Sequence, residues 1–411
     1  MKPVYIVSWL FALAVSFVSC DDWLDKTPKD RLYPDVYFKT EDELRLFTNQ
    51  FYNNLVPSAA DIYSESSDLI VKSDLMLEMS GQRIIPDEGN GWNFTALRDI
   101  NFYLQYSHNC TEVNARNRYD GVARFFRAYF YFEKVKRYGD IPWYDKALDS
   151  DDPELYKARD SREFVMQKML EDLDFAIANL PKTKNAYVLT RWTALALKSR
   201  VCLFEGTFRK YHGLEDYEKY LNACVSASET FMNESGYTLY KSGSTPYRDL
   251  FASINLQADE VIFGRDYEAS LSVLHNVQNY ENSTTMGRPG MNKKIVNSYL
   301  MADGSRFTDK AGYETMTFDQ ECQNRDPRLA QTIRTPGYTR IGSTKKEAPN
   351  LAYTMTGYHL IKYSMTANYD EYNKSCNDIP LFRTAEVYLN FAEAKAELGT
   401  LKQAEDRKSV V

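Results

Sequence analysis

Residues 119–234 carry one apolar stripe after another at helical spacing, each opened by a capping residue and closed by Gly or Pro, and this run demands stacked helices. Val122, Phe125, Phe126, Tyr129, Phe130 and Phe132 predict a helix over Gly121–Tyr138, stopped by Gly139-Asp140-Ile141-Pro142. Asp160 with Glu163 opens a second, whose stripe is Val165, Met169, Leu173 and Ile177, ending before Pro181. Thr190 opens a third over Trp192–Glu205, and a fourth runs about Asp216–Phe231. Outside this block, Thr40-Glu41-Asp42-Glu43 is a capping-box pattern followed by Leu44, Phe47, Phe51 and Leu55. Arg383–Leu398 is a last helix, closed by Gly399. Small residues such as Ala128, Ala176, Ala196 and Ala223 recur where helices must approach closely. Paired helices with short connections stack in the manner of tetratricopeptide repeats.

Two long segments behave differently. Residues 56–118 and 235–380 are rich in Tyr, Ser, Asn, Gly and Thr and hold only short strand-like pieces, such as Glu260-Val261-Ile262-Phe263. Irregular segments of that length inside a compact chain are usually functional. The expected fold is mainly α: tetratricopeptide-like helical pairs form a scaffold (40–55, 119–234, 381–399), which carries a large loop-rich, ligand-binding face and a few short strands.

Composition narrows the function. The chain has 50 basic and 57 acidic residues, a net charge of −7, without a basic run, so a nucleic-acid partner is not expected. Only 4 His are present, and no CxxC pair occurs, so neither a His-rich metal or zinc site nor thioredoxin-type redox chemistry is expected, and no cofactor is implied, which leaves other metals such as a structural calcium open. Cys202 and Cys224 lie inside apolar helical patterns and read as small buried hydrophobes. No GxSxG, HExxH or P-loop pattern appears, and scattered acids alone do not make a glycosidase, so an enzyme is not expected. Tyr outnumbers Phe, 31 to 22, which suits surfaces apolar on one side and wet on the other.

Both ends of the sequence read as something other than fold. Lys2 precedes an apolar run from Val4 to Val18, too short to span a bilayer, and Ser19-Cys20 follows, so residues 1–19 read as a signal peptide and Cys20 as a lipidation site. Residues 20–39 form an acidic tether with Asp21, Asp22 and Asp25, similar to an outer-leaflet export signal. At the other end, Asp406-Arg407-Lys408-Ser409-Val410-Val411 back-translates to GAT CGG AAG AGC GTC GTG, a sequencing-adapter sequence. Residues 406–411 are therefore expected to be adapter-derived, the fold to occupy 40–405, and the natural chain to continue past Ala404. On that view the Arg383–Leu398 helix lacks a packing partner and exposes its apolar stripe.

At this point the sequence resembles a known family, the SusD/RagB outer-membrane nutrient-binding lipoproteins. The resemblance rests on ordered blocks: CDDWLD, GWNFTALRDIN, GVARFFRAYFYFEKVKRYGDIPW, LTRWTALALKSRVCLFEG, YRDLFASINLQADEVIFG, SYLMADGSRF, NRDPRL, GYHLIKYS and IPLFRTAEVYLNFAEAKAELG. It implies a helical protein with a loop-rich face that binds oligosaccharides, or peptides in some members, at the surface of the outer membrane. It also implies a SusC-like TonB-dependent β-barrel transporter as partner.

The residues support binding independently, because sugar rings offer apolar faces and polar rims, and Tyr or Trp matches both at small entropic cost. Tyr280 is the first candidate, flanked by Asn279 and Asn282 in a polar stretch without helical period; Tyr267, Arg83, Trp92 and Asn93 follow. Tyr63, Tyr313 and Tyr338 belong to the same loop mix. Each leading candidate has a bland alternative. Trp92 begins a helix block and suits a core or helix-start role, Arg83 suits an ion pair with Asp87 or Glu88, and Tyr267 suits a cover over the EVIFG strand. Asp326-Pro327-Arg328 reads as a structural turn. A scaffold that binds only other proteins is the remaining alternative function.

Overall fold

The computed structural model describes residues 37–63, 68–86, 89 and 91–401. The signal peptide, Cys20, most of the acidic tether and residues 406–411 lie outside these.

Seven long helices build the scaffold: α1 (Glu41–Leu55), α2 (Thr95–Tyr106), α3 (Val113–Tyr138), α4 (Arg162–Asn179), α5 (Arg191–Tyr211), α6 (Tyr217–Glu234) and α7 (Thr384–Glu397). Neighbours pack in chain order, α3 on α4, α4 on α5 and α5 on α6, with α1 and α2 against α3 and α7 across α5 and α6. This mainly α, tetratricopeptide-like architecture is the expected one. Its local causes are also the expected ones. Thr40 Oγ1 accepts from Glu43 N–H at 3.3 Å while Glu43 returns its carboxylate to Thr40 N–H at 3.0 Å, a complete capping box. Thr190 and Thr193 cap α5 in the same reciprocal way. Gly139, at φ 69°, ends α3. At the α5–α6 crossing, a Cβ on Gly206 would sit 2.6 Å from Leu221 Cδ2, so only glycine permits this approach.

Three boundaries differ from expectation. α3 begins at Val113 rather than Gly121, because its first two turns are polar and carry little apolar periodicity. α2 lies wholly within the segment expected to be loop, where it buries Leu97, Ile100 and Tyr103 at three-residue spacing. α7 is not left with an exposed stripe: it buries Ala385, Val387, Phe391, Ala392 and Ala394 against α5 and α6. Arg200 on α5 clamps Glu386 on α7 at 2.5 and 2.7 Å.

The helical core holds Phe51, Phe125, Phe126, Tyr131 and Phe231, all buried. Cys202 and Cys224 are fully buried free thiols, and burial pushes the Cys202 thiol up to about 12. Two arginines join helices through buried carboxylates. Arg127 on α3 meets Asp172 on α4 with two bonds of 2.6 and 2.7 Å. Glu205 on α5 accepts from Arg162 of α4 at 2.6 Å and, within its own helix, from Arg209 at 2.7 Å.

Residues 235–380 form a second core around Leu250, Phe251, Val261, Val277, Ile333, Tyr358 and Tyr363. Its sheets are small. β1 (Ile70–Val71) pairs antiparallel with β3 (Gly290–Met291), and β2 (Val261–Arg265) pairs antiparallel with β4 (Ile379–Arg383) through a bulged register. Ladders this short leave most backbone groups to other partners. Arg325 donates to the carbonyls of Glu321, Val296 and Tyr299 at 2.9, 2.7 and 2.8 Å, with its guanidinium 3.9 Å from the centre of the Phe307 ring. Arg248 donates to the carbonyls of Thr339 and Ser364 and to the Tyr338 hydroxyl. Asp326 accepts from Arg328 N–H and caps the short helix Pro327–Ala330, the structural role its sequence suggested.

A cationic aromatic cavity at the start of helix α2

The turn that opens α2 builds one wall of a cavity of about 570 Å³. Gly91 adopts φ 83°, and a Cβ there would lie 3.2 Å from the Tyr138 hydroxyl. Its carbonyl accepts from Lys134 Nζ of α3. Trp92 N–H bonds Gly89 O at 2.9 Å, and Asn93 Oδ1 accepts from Thr95 N–H at 2.8 Å. The chain is thereby fixed with Trp92 39% exposed, its ring edge-on to Phe94 and Tyr138 at 5.3 and 4.9 Å. Trp92 is thus a cavity-wall residue, not a core one, while Asn93 holds the helix start.

Residues 139–160, between α3 and α4, build the opposite wall. The two ends of this loop meet in an antiparallel bridge, Ile141 N–H to Asp160 O at 3.1 Å. Its interior is fastened to the helices from several sides. Tyr131 of α3 accepts from Tyr144 N–H at 2.6 Å, Asn101 Nδ2 of α2 donates to Tyr144 O at 2.8 Å, and Arg98 Nε donates to Leu148 O at 3.1 Å. Lys157 Nζ donates to Trp143 O at 2.7 Å and lies 2.9 Å from Asp160 Oδ2. Burial works to raise the Asp160 carboxyl, but the Trp143 N–H and Lys157 outweigh it and hold the group below its ordinary value. A wall built this way is rigid before any ligand arrives.

The lining is Trp92, Phe94, Thr95, Leu97, Arg98, Asn101, Pro142, Tyr144, Lys146, Leu148, Leu155, Lys157, Ala158 and Arg159. Aromatic and aliphatic surface alternates with a few polar groups, the general character of small-ligand sites of about 300–1,000 Å³. No carboxylate, histidine or cysteine is among these residues.

The other candidates lie elsewhere, and three readings are corrected. Tyr280 sits in a short helix, Val277–Asn282, half-buried, with its ring edge-on to Tyr63 at 5.8 Å. Beside it, buried Glu281 accepts from Tyr63 OH at 2.9 Å, Ser364 Oγ at 2.6 Å and Tyr363 N–H at 3.1 Å. Burial still raises the Glu281 carboxyl against those three donors. Tyr267 is buried: its hydroxyl accepts from Ala59 N–H at 2.7 Å and its ring packs on His275. Both tyrosines therefore belong to the second core. Arg83 is exposed and pairs with Glu78 at 3.5 Å; Asp87 and Glu88 lie outside the described residues. Tyr63 and Tyr338 are also buried, and Tyr313 lines a separate hollow of about 630 Å³ in which it is the only aromatic.

Of the residues singled out from the sequence, the structure places Trp92 in the cavity wall and Asn93 at the adjoining helix start; Phe94, Tyr144 and the basic residues Arg98, Lys146, Lys157 and Arg159 were not singled out. The stretch Trp143–Arg159 holds more acidic than basic residues, so its sequence alone carried no signal for a cationic wall.

Comparison with known proteins agrees with the fold. Residues 250–409 match the SusD family, and residues 50–191 match a SusD-like family described as starch-binding and associating with the outer membrane. A SusD-like protein of Formosa agariphila is 25% identical over 415 residues, covering 94% of this chain and 76% of its own. A second from the same organism is 22% identical, covering 98% and 81%. Among solved structures, a SusD-like protein of Bacteroides fragilis superposes with a TM-score of 0.72 at 22% identity, over 94% of this chain and 80% of its own. Another from that species, described as a SusD-like carbohydrate-binding protein, gives 0.73 at 18% identity, over 91% and 77%. The matches to both parts of the sequence, the near full-length relatives and the shared architecture agree: the chain belongs to the SusD/RagB family.

Proposed function

We propose that this protein is a surface lipoprotein of the outer membrane that binds oligosaccharides without catalysis and delivers them to a SusC-like TonB-dependent transporter. The observation that carries the reading is the α2 cavity, a preformed hollow walled by Trp92, Phe94 and Tyr144 and lacking any acid among its lining residues. Hydrolysis of a glycosidic bond calls for two placed carboxylates; binding calls only for rigid apolar faces with hydrogen-bonding groups between them. The starch-binding, outer-membrane-associating description of the matched family and the carbohydrate-binding relative support the same reading. Among the described residues no helix is long and apolar enough to cross a membrane; the anchor in this reading is a lipid on Cys20, suggested by the Ser19-Cys20 pair after the apolar run Val4–Val18. Calorimetric titration with an oligosaccharide panel tests the reading. Trp92→Ala should weaken binding by about 2 kcal/mol, roughly thirtyfold, with the melting temperature nearly unchanged because the ring is edge-packed and partly exposed. Turnover of the oligosaccharide, or unaltered affinity in the variant, would overturn it.

A further inference from the structure

The α2 cavity is more specific than its aromatic walls require. Its lining holds four cations, Arg98, Lys146, Lys157 and Arg159, and no carboxylate, in a chain where acids outnumber bases 57 to 50. The acids that answer these cations stand outside the lining. Asp149 lies 3.8 Å from Arg98, Asp152 and Glu154 lie 3.5 and 3.0 Å from Lys146, and Asp160 lies 2.9 Å from Lys157. The pairs of Arg98 and Lys146 face solvent and are weak and easily exchanged for another anion, whereas Lys157 is held in the loop wall by Asp160 and the Trp143 carbonyl. Arg159 differs from the rest: among the described residues no acid comes within ion-pair distance of it. Its guanidinium lies 5.0 Å from the centre of the Trp92 ring. Stacking fixes the guanidinium plane while leaving its in-plane N–H groups available for a forked contact.

Two further features have the same sign. Lys157 Nζ lies 5.2 Å from the centre of the Tyr144 ring, so both aromatic walls carry a cation over a face that a neutral sugar would use for stacking. The N-terminus of the 12-residue helix α2 also opens on the cavity; Asn93 takes the Thr95 N–H, and the cap residue itself, Phe94, offers no side-chain acceptor to the other first-turn N–H groups.

We propose that the cavity selects anionic oligosaccharides, with Arg159 on Trp92 forking a sugar carboxylate or sulfate ester and Arg98, Lys146 and Lys157 supplying the surrounding positive field. The proposal rests on the oligosaccharide reading above and deepens it. The test is titration of the full chain with matched pairs: oligogalacturonides against their carboxyl-reduced forms, and sulfated galactan oligosaccharides against their desulfated forms. The anionic member of at least one pair should bind at least about tenfold tighter, as loss of a charge-assisted fork implies, and added salt should erode the difference. The pair showing the preference identifies the anion. Arg159→Gln should remove that preference without lowering the melting temperature, since Arg159 is exposed. Equal binding of both members of every pair overturns the proposal and leaves oligosaccharide binding standing. Absence of binding to any glycan, or preference for an acidic peptide, overturns both.

Discussion

The helical scaffold and the irregular segment 235–380 use the same residue, arginine, for different purposes. In the scaffold, main-chain carbonyls are satisfied within the helices, so arginines are free to join one helix to another through carboxylates: Arg127 to Asp172, Arg162 to Glu205, Arg209 to Glu163, Arg200 to Glu386. In the irregular segment the chain makes few ladders, and the guanidinium substitutes for them. Arg325 collects three carbonyls and Arg248 two, five acceptors that a helix would have bonded internally. The lesson is that a large loop region can be ordered without regular secondary structure, provided multidentate donors are buried inside it. The cost is visible at Arg325, where burial lowers the affinity of the guanidinium for its proton.

The comparison breaks most sharply at Arg127. Arg127→Ala leaves buried Asp172 with only the longer pair to Arg124, 3.6 Å away, and should cost about 3 kcal/mol in chemical denaturation. Replacing both partners, Arg127→Met with Asp172→Leu, should recover most of that loss. Failure of the double variant to recover would mean that the pair does more than join α3 to α4.

Arg325→Met should cost less, about 2–3 kcal/mol for the carbonyls left without a donor. No second substitution should repair it, because its acceptors are main chain. Hydrogen exchange should then show opening of residues 296–330 with α3–α6 still protected. A loss of protection spread evenly over the whole chain would erase the distinction between the two regions.

The smallest effect concerns pH. Burial drives His275 down to about 4, and burial with nearby Arg334 does the same to His359. Between their ordinary value of 6.5 and about 4 the unfolded chain takes protons that the folded one refuses, so these groups lose stability as pH falls. Asp378, pushed up to about 6 by burial, has the opposite sign: the folded protein takes its proton first between about 6 and 3.8, and acidification is stabilising. Glu281, also raised by burial, acts in the same sense as Asp378. The natural protein should therefore change little over this window. Asp378→Asn removes one of the two offsets, and its melting temperature should fall more steeply from about pH 6.5 to 4.5. Identical pH profiles for the two proteins would show that Asp378 stays ionised in the fold.

Much of the scaffold was legible in the sequence because caps and apolar stripes act locally: Thr40 with Glu43, Thr190, Gly139 and the Val165–Ile177 stripe all mark real helix features. α2 was read only as a helix start near Trp92 and not as a scaffold helix, because it is short and its flanks share the polar, Tyr-rich composition of the loops. The candidate site was legible only in part, and for a physical reason. Whether a loop tyrosine meets a ligand or the core depends on which distant segment arrives beside it. Tyr267 bonds Ala59 and Tyr280 packs on Tyr63, each more than two hundred residues away in sequence. Trp92 and Asn93 were recoverable because the turn that fixes them is local. Arg159 was not, since its position over Trp92 depends on closure of the 139–160 loop.

That closure has a consequence for which substitutions the cavity tolerates. The bridge between Ile141 and Asp160 brings the ends of the loop together whatever lies between them, so the entropy of closing it is settled by the fold rather than by the residues at its tip. Lys146, Leu155 and Arg159 contact the cavity, while the helices below are held by Arg127, Glu205 and their partners. Substitutions at exposed Lys146, Leu155 and Arg159 should therefore reshape the cavity with little penalty in folding, whereas those at buried Trp143, Tyr144 and Leu148 would disturb the core beneath it.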